Sequence, residues 1–152
     1  MKMNLSDKTQ FCAKSFTPIR VSSKLIRGQS VSNPITIYNM KKQGVNQIID
    51  LRNLSTEKTQ IIPIFFERLF CKIFKIKYIN TKYSHKLEGM PSNSFFNNIN
   101  NLILNNSEQT YIHCRHGKRR TGVCVAVFEM FHTDKNKSER SEEHTSELQS
   151  RE

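Results

Sequence analysis

The chain has 152 residues, 36% of them hydrophobic, with ten phenylalanines, no tryptophan and a formal charge of +11. That length holds one domain with one modest core, and the apolar content is too high for a disordered chain. No apolar run reaches the length of a membrane span, the start M-K-M-N-L-S-D-K-T-Q has no apolar signal core, and the charge favours anionic partners.

Residues 1–14 are polar and read as a loose segment before a domain over 15–139. Ile19 to Ile26 contains short β-compatible pieces, and R-G-Q-S at 27–30 reads as a turn. Asn33-Pro34 starts a helix, because Asn caps and Pro is tolerated at the first helical position. Ile35, Tyr38 and Met40 give its apolar face, and Gly44 stops it. V-N-Q-I-I-D-L at 45–51 reads as a buried strand and L-R-N-L-S-T-E-K as a polar loop. Ile61 to Phe70 is helical, with Pro63 in the first turn. K-I-K-Y-I-N at 75–80 alternates as a strand, and 81–91 is an irregular loop. Ser94 to Asn105 places Phe95, Phe96, Ile99, Leu102 and Ile103 on one helical face. Y-I-H at 111–113 is a short strand, and Gly122 to Phe131 an apolar helix. This order predicts an α/β fold, a mainly parallel central sheet flanked by helices.

From Arg140 the composition shifts. R-S-E-E-H-T-S-E-L-Q-S-R-E resembles one frame of a translated DNA-sequencing adapter. Residues 140–152 are therefore expected to be a non-native tail, with the domain incomplete at its C-terminus. The tail holds two arginines and four glutamates, so the remainder is the more basic part.

Four cysteines, Cys12, Cys71, Cys114 and Cys124, form no CxxC pair and no metal spacing. They read as reduced thiols of a cytoplasmic protein. Cys71 and Cys124 are expected to be buried core thiols, with a redox pairing of Cys71 and Cys114 as a weaker alternative.

The chemistry concentrates in Y-I-H-C-R-H-G-K-R-R-T-G-V, 111–123. Cys114 follows a strand, and ligands bind at the carboxyl ends of such strands. The turn from Cys114 to Arg120, closed by a helix N-terminus, aims backbone N–H groups at one point and makes a nest for a tetrahedral oxyanion. Gly117 is expected to let the backbone approach the anion without a Cβ in the way. Arg120 grips two phosphate oxygens with its planar fork. The positive field lowers the pKa of Cys114 and places a thiolate beneath a bound phosphate for in-line attack. Thr121 donates to the sulfur, Gly122 opens the helix, and His113 supports the loop from beneath. Arg115, His116, Lys118 and Arg119 supply further cationic contacts to substrate. This chemistry needs no metal and no cofactor.

H-C-R-H-G-K-R-R-T-G resembles the H-C-x-x-G-x-x-R-[S/T]-G motif of the cysteine-dependent protein tyrosine and dual-specificity phosphatases. I-R-G-Q-S at 26–30 and G-V-N-Q-I-I-D-L-R at 44–52 look like early segments of a compact bacterial branch. The G-K-x-R-T-G run is similar to that of the plant and fungal atypical dual-specificity phosphatases. The resemblance implies a dual-specificity-phosphatase-like fold over roughly residues 19–132 and a phosphocysteine intermediate. It implies a phosphorylated protein or small molecule as substrate, phosphotyrosine or an inositol polyphosphate or pyrophosphate.

Such enzymes protonate the leaving oxygen with an Asp on a loop before the cysteine. The corresponding N-T-K-Y-S-H-K-L-E-G-M-P-S, 80–92, has no Asp, so Glu88 or His85 is the candidate acid. The alternative is a pseudophosphatase that binds phosphate without turnover. Nucleic-acid binding is not expected, since no aromatic-plus-basic motif is present.

Overall fold

The structure is a computed structural model and describes residues 18–83 and 90–132. Five strands form one sheet: β1 (Ile19–Arg20), β2 (Leu25–Gly28), β3 (Val45–Asp50), β4 (Lys77–Asn80) and β5 (Gln109–His113). Their spatial order is β1-β2-β5-β3-β4, with β1 antiparallel to β2 and the other pairings parallel. The helices are α1 (Pro34–Lys42), α2 (Ile61–Ile73), α3 (Asn93–Leu104) and α4, residues 119–132. The expected mainly parallel α/β sheet is present, and no helix among the described residues is long and apolar enough to cross a membrane.

Strand residues alternate between two cores because successive side chains leave opposite faces. Leu25, Ile49 and Ile112 pack on one face with Phe96, Ile99 and Ile103 of α3 and Cys124, Val125 and Phe128 of α4. Ile26, Ile48 and Tyr111 pack on the other with Ile37 and Met40 of α1 and Cys71 of α2. A register shift between Val45 and Gln47 lets Val45 share the face of Ile48. The two faces also separate the thiols. Cys114 and Cys124 belong to the first core and Cys71 to the second, so the sheet lies between Cys71 and Cys114.

Local signals explain the element ends. The Asn33 side chain accepts from the Ile35 N–H at 2.8 Å and caps α1, and Gly44 leaves the helix at φ +97°. Several expectations need correcting. Arg27 and Gly28 continue β2 rather than turning, because they pair with Ile112 and His113. The buried face of α1 is Thr36, Ile37 and Met40, while Ile35 and Tyr38 are exposed. β4 starts at Lys77, since Lys75 takes φ 56° and the Ile76 N–H still bonds the Cys71 carbonyl at 2.8 Å. The last helix opens at residue 119, three residues before the expected start at Gly122.

Candidate active site

β5 is the middle strand of the sheet, paired on both sides in parallel, and Cys114 is the first residue beyond it. Residues 114–118 form a tight turn before α4. Gly117 takes φ +70°, and a Cβ there would lie 2.3 Å from the Gly28 carbonyl oxygen. The missing Cβ makes room for the backbone at the end of β2. The turn is further tied to that segment. Arg27 Nη2 donates to the Gly117 carbonyl at 3.0 Å, and Ser30 donates its N–H and its hydroxyl to the Arg115 carbonyl, each at 3.2 Å. The Gly122 N–H bonds the Lys118 carbonyl at 3.0 Å and starts the helix.

Cys114 is 3% exposed. Burial alone would raise its pKa. The Thr121 hydroxyl, the backbone N–H groups of Thr121 and Gly117, and the Arg120 charge outweigh it, and the net shift is downward. The Thr121 hydroxyl is buried and has no hydrogen bond of standard geometry. It acts on the thiol by its proximity. Arg115, His116, Lys118 and Arg119 are exposed around the turn, and the two arginines and the lysine make its rim cationic.

Arg120 is half-buried and held by a residue that sequence reasoning did not single out. Its Nη1 and Nη2 donate to the two carboxylate oxygens of Glu57, each at 2.6 Å. Glu57 also accepts from the Asn53 N–H at 2.9 Å, so the folded-back 53–57 loop aims it. The Arg120 hydrogen bonds and the Asn53 N–H outweigh burial and lower the Glu57 pKa. Glu57 is therefore an ionised clamp and no proton donor at neutral pH. Nη1 also donates to the Leu51 carbonyl at 3.5 Å, which leaves Nε–H and the second Nη2 N–H to meet an oxyanion. Glu57→Gln is expected to weaken vanadate binding about tenfold, since a charged hydrogen-bond partner is lost. Isothermal titration checks this; tighter binding would mean that Glu57 competes with the anion instead of orienting Arg120.

Beneath the turn lies a fully buried charged cluster. Asp50, Arg52, Glu67 and His113 are each 0% exposed. Arg52 donates from Nε and Nη2 to Asp50 at 2.8–3.1 Å, from Nη1 to Gln60 at 3.3 Å, and from Nη2 to Glu67. Tyr78 donates its hydroxyl to Asp50. His113 Nε2 lies 2.5 Å from Glu67 Oε1, and Nδ1 lies 3.0 Å from the Cys114 carbonyl oxygen. Two acids and two cations balance, which is what lets charges exist without water. Ligand atoms of Asp50, Glu67 and His113 lie within 4.8 Å of one another, a spacing suited to a metal ion. Arg52 and the His113 ring already occupy them, so the arrangement is an ion-pair network.

Cys71 is buried beside this network; burial, with the charges of Glu67 and Asp50, raises its pKa, so it is an inert thiol. Burial likewise pushes Cys124 up to about 12. Glu88 and His85 lie outside the described residues. Of the other expected site residues, the structure brings His113, Cys114, Gly117, Arg120, Thr121 and Gly122 together around one turn, with Arg115, His116, Lys118 and Arg119 on its rim. Arg27, Asp50, Arg52, Glu57 and Glu67 join them without having been singled out.

A family model described as "DSP-PTPase phosphatase fused to NAD+ Kinase" matches residues 14–152. Two structures of a DUF442 phosphatase candidate from Shewanella putrefaciens superpose with TM-scores of 0.60 and 0.57 at 12% identity, covering 77% and 74% of this chain and 69% of theirs. The core catalytic domain of the PP-IP phosphatase SIW14 from S. cerevisiae superposes with a TM-score of 0.53 at 21% identity, covering 71% of this chain and 61% of that one. At these identities the likeness is one of fold. No curated protein sequence matches the chain significantly.

Proposed function

The chain belongs to the family of DSP-PTPase phosphatases fused to NAD+ kinase, and on that premise we propose that it hydrolyses phosphate groups through a phosphocysteine on Cys114. The observation that carries this reading is the setting of Cys114, a buried thiol whose pKa is lowered by the N–H groups of Gly117 and Thr121, by the Thr121 hydroxyl and by Arg120. In the first step the thiolate attacks phosphorus, an S–P bond forms, and the bond to the leaving oxygen breaks. Arg120 and the backbone donors hold the charge on the equatorial oxygens. In the second step water attacks phosphorus, the S–P bond breaks, and inorganic phosphate leaves as the sulfur regains its electron pair.

The leaving group decides how much a proton donor matters. General acid catalysis contributes about 10²–10⁴-fold. The need is large for a serine alkoxide, smaller for a phenolate with pKa about 10, and smallest for a phosphate with second pKa about 6. Among the described residues, the carboxylate that grips Arg120 is Glu57, and it is ionised there. A cradle of this kind, ringed by Arg115, His116, Lys118 and Arg119, suits a phosphoanhydride on a highly charged small molecule. An inositol pyrophosphate has this chemistry, and the fold neighbour SIW14 is a PP-IP phosphatase. Phosphotyrosine protein is the second reading, with Glu88 or His85 as acid.

Phosphate release from a phosphotyrosine peptide and an inositol pyrophosphate, measured side by side, separates these readings. Faster release from the anhydride is expected. Glu88→Gln is expected to slow phosphotyrosine hydrolysis more than anhydride hydrolysis; equal effects remove Glu88 from the acid role. Vanadate binding with no release from either substrate would make the protein a phosphate-binding pseudophosphatase.

A further inference from the structure

We propose that Glu67 of α2 is a positioning residue for the Cys114 turn, holding His113 as an imidazolium whose Nδ1–H fixes the Cys114 carbonyl. The inference rests on the reading of Cys114 as the nucleophile, but its geometry stands apart from any substrate.

Both ring nitrogens of His113 face acceptors. The Cys114 carbonyl, 3.0 Å from Nδ1, can only accept, so Nδ1 carries a proton. Nε2 lies 2.5 Å from Glu67 Oε1, and the other oxygen of Glu67 accepts from Arg52 Nη2. Arg52 has no lone pair to offer, so it holds that oxygen as an acceptor, and on this proposal the proton between Oε1 and Nε2 sits on Nε2. Asp50 adds its charge, with Oδ1 3.9 Å from Nδ1. Burial alone would lower the His113 pKa; the carboxylates of Glu67 and Asp50 outweigh it and raise it to about 9, while Arg52 opposes them.

The groups facing the ring come from every element around it: Asp50 of β3, Arg52 just beyond, Glu67 of α2, Tyr111 of β5, and Cys114 itself. Tyr78 of β4 and Cys71 of α2 act one contact away, through Asp50 and Glu67. Loss of the ring proton would set a bare lone pair against the Glu67 carboxylate with no water to relieve it. The Cys114 carbonyl would lose its fixed donor, and the N–H groups of the turn would no longer converge on the sulfur.

The linkage sign follows from a raised folded pKa. The contribution of His113 is fully present below its unfolded value of about 6.5 and is lost as pH rises through about 9. Glu67→Gln removes the charge while keeping the size. It is expected to lower the His113 pKa by about one to three units, the usual worth of an adjacent opposite charge.

Three readouts on the whole chain decide the matter. Nitrogen-15 NMR of the wild-type His113 ring is expected to show both nitrogens protonated at pH 7.5; a neutral ring there overturns the proposal. In Glu67→Gln, the pH midpoint of iodoacetamide alkylation of Cys114, located by peptide mass spectrometry, is expected to rise by about one unit. The alkaline limb of kcat/KM is expected to move to lower pH. A lower rate with an unmoved pH profile and unchanged alkylation would mean that Glu67 merely fills space, and would also overturn the proposal. Should the variant fail to fold, the wild-type ring titration decides alone. Should the wild type release no phosphate from any substrate, the functional reading falls, while NMR and alkylation still judge this one.

Discussion

Cys114→Ser is expected to abolish phosphate release while leaving the fold and vanadate binding in place. The loss should be at least about a hundredfold, because the two atoms respond differently to the same surroundings. The N–H groups of Gly117 and Thr121, the Thr121 hydroxyl and Arg120 bring a thiol pKa down against the effect of burial. A serine hydroxyl ionises far higher, and the same donors leave it protonated at neutral pH. The base that a serine nucleophile needs is not supplied from beneath: His113 sits wholly buried between Glu67 and the Cys114 carbonyl, with its ring nitrogens engaged. The variant should keep its anion cradle, since its donors are backbone groups and Arg120. Steady-state phosphate release and vanadate titration check the two halves. Residual turnover above about a hundredth of wild type would sink the covalent route and favour direct attack by water.

The layout was legible from periodicity and punctuation. Asn33-Pro34 and Gly44 marked α1, and the apolar run at 45–51 marked β3. Alternating helices and strands were enough for a parallel sheet with Cys114 at a strand end. The turn could be read because its residue types are tied to local backbone geometry, which sequence spacing records.

The supports of that turn were less legible because they come from distant parts of the chain. Glu57 reaches Arg120 across 63 positions, and Glu67 reaches His113 across 46. α2 shows why. Its sequence I-I-P-I-F-F-E-R-L-F-C-K-I places one acid in an apolar run, and an ordinary amphipathic reading would send that acid outward. The structure does the reverse. Glu67 is buried at 0% exposure, while Ile62, Phe65 and Ile73 are more than half exposed. The pairing with Arg52 and His113 overrides hydropathy, because partnered charges tolerate burial and orphaned ones do not. An isolated acid in an apolar helix was the signal that could have been used. The buried Asp50 and Arg52, at the end of an apolar strand and just past it, were a second.

Gly117→Ala is expected to cost nearly as much activity as Cys114→Ser, for a reason that lies in the fold. An alanine at φ +70° occupies a region unfavourable to L-residues by about 1–2 kcal/mol. The larger obstacle is steric. The new Cβ would stand 2.3 Å from the Gly28 oxygen, 2.4 Å from the Gly28 carbon and 2.8 Å from the Gln29 nitrogen. These are backbone atoms of a segment that cannot swing aside: Gly28 is paired with His113, and the Gln29 carbonyl accepts from the Tyr111 hydroxyl at 2.8 Å. The turn must therefore move, and the Gly117 N–H leaves the sulfur. Loss of one such donor costs about 10²–10³-fold where charge is stabilised in a dry site. Turnover should fall by at least that factor, and vanadate affinity should fall with it. That joint loss distinguishes Gly117→Ala from Cys114→Ser, which keeps the cradle. Turnover within tenfold of wild type, with circular dichroism unchanged, would mean that the turn reaches its working shape without contact between Gly117 and the end of β2.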